Sequence, residues 1–301
     1  MNTENLRFGI DLGGTKIELI ALEGSTVRVQ RRVATPAHDY DAIIEAVAQL
    51  VEQAEAELGA RGSIGVGMPG TLAQTTRTIK NSNTLCLNGR AFDRDLSARL
   101  ARPVRLQNDA NCFALSEAVD GAAAGAPCVF GVILGTGVGG GIVHEQHALL
   151  GRNGIAGEWG HNPLPWPRHD DAPASHCYCG RDGCIETYLS GPGLARDHAG
   201  HTGETLTSEQ IAEQAAAGSV SASQTLERYC ERAARALASV INLLDPDVIV
   251  LGGGVSQIEQ LYHRIPELWP RYVFSDTVNT RLVRAAHGDS SGVRGAAWLW
   301  P

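Results

Sequence analysis

Four donor side chains that suit a borderline-soft metal fall in one short stretch: His161, Cys177, Cys179 and Cys184. Zinc in a structural role takes four N or S ligands in a tetrahedron, and a Cys3His set satisfies it. Gly180 and Gly183 let the backbone turn tightly between the second and third thiols. The competing reading is a disulfide, or cysteines that are simply buried. Seven cysteines make an odd number without a regular framework. The opening Met-Asn-Thr-Glu-Asn carries no basic and apolar export signal, so the expectation is a cytoplasmic chain whose reduced thiols hold metal. His169 and His176 lie nearby, which leaves the histidine ligand open among them.

A second group suits proton transfer. Asn108-Asp109-Ala110-Asn111 follows an expected strand at Val104 to Gln107 and precedes a helical pattern, which puts the Asp109 carboxylate at a strand-to-helix junction. An alcohol loses its proton as it attacks phosphorus, and a positioned carboxylate can take it. The same Asp can equally serve as a helix N-cap. Asn83, Asn108, Glu158, His161 and Glu186 offer the fixed acceptors and amides that a polyhydroxyl ligand needs. Glu158 and Glu186 bracket the cysteines, so a metal there would hold both carboxylates in place.

Three glycine turns suit phosphate or nucleoside. In Asp11-Leu-Gly13-Gly14-Thr15-Lys16, backbone N–H groups, the Thr15 hydroxyl and the Lys16 charge can meet phosphate oxygens, and Asp11 can hold Mg2+ through water. No helix follows and Thr15 and Lys16 stand in reversed order, so this is not a P-loop. A tight hairpin with a solvated lysine is the plain alternative. Gly135-Thr136-Gly137-Val138-Gly139-Gly140-Gly141 matches G-x-G-x-x-G, but it leads into an apparent strand at Ile142-Val143 where a dinucleotide site needs a helix. A hairpin facing a second phosphate fits better. Gly252, Gly253 and Gly254 follow a buried strand and suit close approach to a nucleoside, or mere packing.

These residues need strands that end together. Strands are expected over 6–12, 17–22, 26–33, 63–68, 104–107, 129–134, 247–251 and 281–284, with helices over 39–58, 92–100, 111–119, 211–217, 224–244, 258–269 and 292–300. Thr207 to Gln210 matches a capping box. The strand, glycine turn and hairpin pattern occurs twice, near Ile10–Leu22 and Val132–Val143, which hints at two related lobes, and Ala122 to Gly125 reads as a hinge. With 301 residues and 43% hydrophobic content the core is ample. A net charge of −8 argues against nucleic acid or an anionic membrane as the main partner, and no apolar run approaches the roughly 20 residues that span a bilayer.

Taken together, Asp-Leu-Gly-Gly-Thr-Lys from Asp11, Asn-Asp-Ala-Asn from Asn108, Leu-Gly-Thr-Gly-Val-Gly-Gly-Gly from Leu134, Gly-Glu-Trp-Gly-His from Gly157, the cysteine run ending at Glu186 and Val-Leu-Gly-Gly-Gly from Val250 resemble the ROK family of repressors, open reading frames and sugar kinases. The resemblance implies a two-lobed actin-like ATPase fold, α/β with ribonuclease-H-like sheets, and nucleotide and sugar in the interlobe cleft. It implies a small lobe over 1–119, completed by a C-terminal helix near 288–301, and a larger zinc-bearing lobe over 120–287.

By the same resemblance Asp11, Gly13, Gly14, Thr15 and Lys16, with Gly135, Thr136 and Gly137, would flank the phosphates of ATP. Gly253 and Gly254 would lie near adenosine, Asp109 would be the general base, and Asn83, Asn108, Glu158, His161 and Glu186 would bind the sugar. His161 would also ligate a structural Zn2+, with Mg2+ and ATP as the other cofactors and a homodimer as the assembly. Within the family, Lys80 to Asn83, Leu87 to Gly89, Trp159 with Asn162 to Trp166, and the ending His287 to Trp300 are most similar to bacterial fructokinases that accept mannose. The family's N-acetylglucosamine kinases are also similar, and glucokinases belong to the same set. The expected reaction is ATP-dependent phosphorylation of a hexose 6-hydroxyl. Ten residues precede Asp11, too few for the helix-turn-helix of the family's repressors. The span from His161 to Cys177 is longer than is usual in the family.

Overall fold

A computed structural model describes residues 6–73 and 75–300. The elements in chain order are β1 (Leu6–Leu12), β2 (Lys16–Glu23), β3 (Thr26–Ala34), α1 (Tyr40–Leu58), β4 (Ser63–Met68), β5 (Thr71–Leu72), β6 (Ile79–Lys80), α2 (Phe92–Leu100), β7 (Val104–Asn108) and α3 (Asp109–Val119). They continue with β8 (Cys128–Leu134), β9 (Val138–His144), β10 (His147–Ala148), α4 (Ile185–Leu189), α5 (Gly191–Thr202), α6 (Ser208–Ala216), α7 (Val220–Leu244), β11 (Val248–Gly252), α8 (Gln260–Leu268), β12 (Arg281–Arg284) and α9 (Ser291–Ala297). Among the described residues no helix is long and apolar enough to cross a membrane.

Two five-stranded sheets share one strand order. The first runs β3-β2-β1-β4-β7 and the second β10-β9-β8-β11-β12. In the first, β1 pairs antiparallel with β2 and parallel with β4, and β7 continues parallel to β4. In the second, β11 lies parallel to both β8 and β12. The duplicated strand and hairpin pattern of the sequence is therefore a duplicated sheet.

By packing, the chain divides into a unit of residues 1–125, 141–156 and 289–301 and a unit of residues 126–140 and 157–288. The sequence expectation placed 120–287 in one lobe, whereas residues 141–156 group with the first unit. Gly141 lies so close to α3 that an added Cβ would meet the Ala110 carbonyl at 2.6 Å. Thr71 Oγ1 donates to Gly154 O at 3.3 Å from the same unit. The run Val138 to Gly141 is itself strand, so the glycine turn is limited to residues 135–137.

In the first unit, Phe8, Ile10 and Leu12 of β1 pack with Ile43, Val47 and Val51 of α1 in one buried core. Helix α1 starts because Asp39 accepts the Ala42 N–H at 3.0 Å and stops at Gly59 in the left-handed conformation. The other face of the sheet takes α9 at backbone distance. At Gly295, a Cβ would strike the Cys112 backbone of α3, so only glycine lets these helices meet.

The second unit hangs on α7. Arg232 and Arg235 lie on its buried face, where periodicity alone would put apolar side chains. They converge on Asp171, whose side chain is 4% exposed: Arg235 Nη1 and Nη2 reach Asp171 at 2.8 and 3.0 Å, and Arg232 Nε reaches it at 2.8 Å. Arg235 also donates to Pro165 O and Trp166 O at 3.2 and 2.6 Å. The long span between His161 and Cys177 is thus fastened to α7 by charge-assisted hydrogen bonds. Burial raises the Asp171 pKa, but Arg235, the Arg168 amide and Arg232 outweigh it and hold the carboxyl below its ordinary value. Helix α5 was not expected from its sequence Gly-Pro-Gly-Leu-Ala-Arg-Asp-His-Ala-Gly-His-Thr; it is started by Ser190, whose hydroxyl accepts the Gly193 N–H at 3.1 Å.

Arg235→Ala strands Asp171 as a buried, under-compensated charge, and removing one partner of a buried pair costs about 3–5 kcal/mol. The expected result is a large drop in the urea midpoint at pH 7. Because Asp171 is depressed in the folded state, its contribution is present above the unfolded carboxyl pKa and is lost as pH falls through the folded one. The gap between wild type and variant should therefore narrow below about pH 4.

Candidate active site and metal centre

In the first unit, the turn after β1 is shaped by its own backbone. Gly13 N donates to Lys16 O at 3.0 Å, Thr35 N to Thr15 O at 2.9 Å, and Thr35 Oγ1 to Gly13 O at 2.7 Å. Thr15 and Lys16 are exposed beside it. A Cβ at Gly14 would come within 3.8 Å of Thr84 Oγ1 and 4.0 Å of Asn83 Oδ1, so the loop carrying Asn83 lies against the glycine turn. Asn88 holds that loop: its Oδ1 accepts the Ser82 N–H and its Nδ2 donates to Ser82 O, both at 2.9 Å.

Asp109 opens α3, and the cap is Asn108 instead, whose Oδ1 accepts the Ala110 N–H at 2.9 Å. The N-cap alternative for Asp109 is thereby answered by its neighbour, although Asp109 Oδ1 also accepts from Ala110 N at 2.8 Å. Asn108 Nδ2 donates to Gly70 O at 3.2 Å. Gln107, which the sequence reading passed over, fixes this corner by accepting from Asn108 N at 2.8 Å and Asn111 Nδ2 at 3.1 Å. Burial, then the Asp109 and Glu18 charges, push Asp11 up to about 6 against the pull of Lys16 and Arg32. Two carboxylates in a partly desolvated corner suit a divalent cation that prefers oxygen ligands, which is the donor chemistry of Mg2+.

In the second unit, His161, Cys177, Cys179 and Cys184 converge, with all four donor atoms within 4.8 Å of one another. Cys177 Sγ stands 3.6 Å from His161 Nδ1, and Cys179 Sγ 3.6 Å from Cys184 Sγ. A tetrahedron with metal–sulfur bonds near 2.3 Å has edges of about 3.7 Å, so these two separations fit a tetrahedral cation of the size of zinc. His169 and His176 are not part of the cluster, and His176 Nδ1 pairs with Asp182 at 2.8 Å. Burial and the neighbouring thiols push Cys184 up to about 12, burial raises Cys177, and the Arg181 backbone N–H leads in lowering Cys179. A cation bound here would need these thiols deprotonated, so its binding would release protons.

Turns and bridges carry the cluster. Cys177 N donates to Arg181 O at 2.8 Å, Gly180 N to Cys177 O at 2.9 Å, and Ile185 N to Asn162 O at 2.9 Å. Pro163 bridges Cys184. Trp159 anchors the other side, its Nε1 donating to Gly139 O at 3.2 Å while its ring meets Phe130 edge to face at 5.5 Å. Glu158 is exposed and Glu186 partly so. Glu186 joins two features: Oε2 accepts the Val138 N–H at 2.9 Å, and Oε1 lies 3.9 Å from Cys177 Sγ. A side chain at Gly137 would meet that carboxylate at 2.5 Å, which explains the glycine there.

The turn at Gly135, Thr136 and Gly137 is closed by Gly135 N donating to Gly137 O at 3.0 Å, and Gly135 O accepts Gly191 N at 2.8 Å. Gly253, at φ 83°, sits against the Leu134 backbone, and a Cβ added at Gly254 would stand 3.6 Å from Glu209 Oε1. One residue of this unit escaped the sequence reading: Tyr178, whose hydroxyl is 3.0 Å from His161 Nε2. Its position between two thiols was the available signal.

The ROK family model matches residues 7–301. The N-acetyl-D-glucosamine kinase of Photobacterium profundum is 41% identical over 297 residues, covering 97% of this chain and 98% of the relative. Among solved structures, a ROK hexokinase from Thermus thermophilus superposes with TM-score 0.86 at 33% identity, covering 97% of each chain. A ROK glucokinase from Streptomyces griseus, solved with glucose and AMPPNP, gives TM-score 0.75 at 29% identity and covers 97% of this chain and 98% of its own. The chain therefore belongs to the ROK family, as a sugar kinase with the two-lobed actin-like ATPase fold.

Proposed function

We infer that this protein is an ATP-dependent kinase that phosphorylates the 6-hydroxyl of a hexose. The observation that carries the reading is the Asp109 carboxylate at the start of α3, with the capping role taken by Asn108. In this reading Asp109 accepts the proton of the 6-hydroxyl as its oxygen attacks the γ-phosphorus and ADP leaves. Positioning and charge neutralisation do most of the work of phosphoryl transfer.

The first unit would contribute Asn83, Asn108 and Asp109 to the sugar, and Asp11, Gly13, Gly14, Thr15 and Lys16 to the phosphates. The second would contribute Glu158, His161 and Glu186 to the sugar, Gly135, Thr136 and Gly137 to the phosphates, and Gly253 and Gly254 to the nucleoside. The Gly13 and Gly135 amides are spent inside their own turns, so their role is to shape them. A Mg2+ ion held by Asp11 through water would supply charge neutralisation at the phosphates. Zinc at His161, Cys177, Cys179 and Cys184 would be structural, fixing the sugar-binding side chains around it. A homodimer belongs to the same reading and rests on the resemblance alone.

Two hexoses compete. The relative named above is an N-acetyl-D-glucosamine kinase, as is that of Escherichia coli O1:K1 at 40% identity, and this supports N-acetyl-D-glucosamine as the substrate. The fructose and mannose preference expected from the sequence draws no support from these relatives. Its own support is the set of local runs around Asn83, Trp166 and the C-terminal end.

Coupled ADP release across N-acetyl-D-glucosamine, fructose, mannose and glucose separates the two. Turnover highest on N-acetyl-D-glucosamine supports the relatives' substrate, turnover highest on fructose or mannose supports the other, and no hexose-dependent turnover sinks the kinase reading. For the base, Asp109→Ala should lower kcat by about 10²- to 10⁴-fold while calorimetry still detects hexose binding. A variant with near wild-type turnover would remove Asp109 from the mechanism.

A further inference from the structure

The assignment of Glu158, His161 and Glu186 to the hexose leaves one neighbouring side chain without a role, and a role for it at the sugar rests on that assignment. Tyr178 is a large aromatic left 82% exposed, yet its backbone is pinned on both sides by Cys177 and Cys179 of the metal cluster. Its ring meets the His161 ring edge to face, with centroids 5.1 Å apart and planes at 88°. Its hydroxyl lies 3.0 Å from His161 Nε2, while Nδ1 of the same ring faces Cys177 Sγ at 3.6 Å.

A neutral imidazole that gives Nδ1 to a metal keeps its proton on Nε2. His161 then donates to the phenol oxygen, and the phenol's own proton points elsewhere. An exposed phenol on a fixed backbone offers a ring face and a hydrogen-bond donor at little entropic cost, since only two side-chain torsions need ordering.

We propose that Tyr178 is a sugar-contacting, specificity-determining residue: held by His161 and by its two thiol neighbours, it donates its hydroxyl proton to a hexose hydroxyl on the side of Glu158 and Glu186. With the sugar bound, His161 Nε2–H is shared between the phenol oxygen and a hexose hydroxyl, so the cluster acts on the sugar through two side chains, His161 and Tyr178, instead of one. Hexoses that differ in the hydroxyl reached by Tyr178 are told apart by it, because a site built to donate to a hydroxyl rejects the analogue that lacks it.

The test is Tyr178→Phe in the full, zinc-loaded chain, using the hexose that the wild type turns over best. Hexose Kd by calorimetry and hexose KM should both rise about three- to tenfold, the scale of one neutral hydrogen bond. kcat, the KM for ATP and the zinc content per chain should stay near wild type, a split that a merely structural role would not give. Across a series of monodeoxy hexoses, the analogue lacking the contacted hydroxyl should bind wild type and Tyr178→Phe equally. Unchanged hexose affinity with zinc retained overturns the proposal, and so does tighter binding, which would make the phenol a competitor of the sugar for His161. A wild type without hexose-dependent ADP release fails the kinase reading instead of this one.

Discussion

The second unit depends on one gap of fixed size, the space enclosed by His161 Nδ1 and the sulfurs of Cys177, Cys179 and Cys184. Among the described residues, no strand or α-helix falls within 157–184; short helical turns and isolated bridges carry the chain there instead. Such a stretch has few ladder hydrogen bonds to stabilise it, and a cation that binds only the folded arrangement lends its binding energy to folding. The cluster's contacts spread outward. Cys184 leads into α4, whose Glu186 reaches the Val138 N–H, and Gly191 at the start of α5 donates to Gly135 O. The glycine turn at residues 135–137 is thus tied to the cysteines through one carboxylate and one helix.

The first unit solves a different problem, which is to bring carboxylates to a strand edge with the helix cap supplied by a neighbouring amide. Helix α3 needs a cap, and Asn108 supplies it, so the charge that follows is placed one step into the helix. Behind α3, α9 comes close enough to exclude a side chain at Gly295, which gives Asp109 a rigid support. Partial burial then keeps Asp11 close to neutral pH in its ionisation, with a pKa pushed up to about 6 beside Asp109. That is a corner where a bound cation changes the charge state more readily than it would at an exposed carboxylate.

Much of this is legible in the chain, and the departures share a cause. Strands and most helices follow from apolar periodicity, and the four metal donors follow from residue type and spacing. What periodicity cannot show is a polar side chain used as core. Arg232 and Arg235 look like the solvated stripe of α7, but they are buried because residues 165–171 bring carbonyls and Asp171 onto them. Residues 141–156 group with the first unit, against expectation, because the glycines of β9 read as a turn when they are strand positions that let α3 approach. Gln107 and Asn88 act through paired hydrogen bonds whose geometry exists only once the surrounding loops are folded, and no local pattern marks them, whereas Tyr178 is marked by nothing but its place between two thiols.

In the function proposed above, the metal cluster holds the sugar-binding side chains in place while phosphate recognition rests on backbone turns. The most direct measurement is calorimetric binding of the preferred hexose and of a non-hydrolysable ATP analogue, before and after zinc is stripped by a chelator and again after it is restored. The account predicts that stripping abolishes hexose binding, leaves nucleotide binding within a few-fold, and is reversed by zinc. Hexose affinity that survives zinc removal in a folded protein would contradict it.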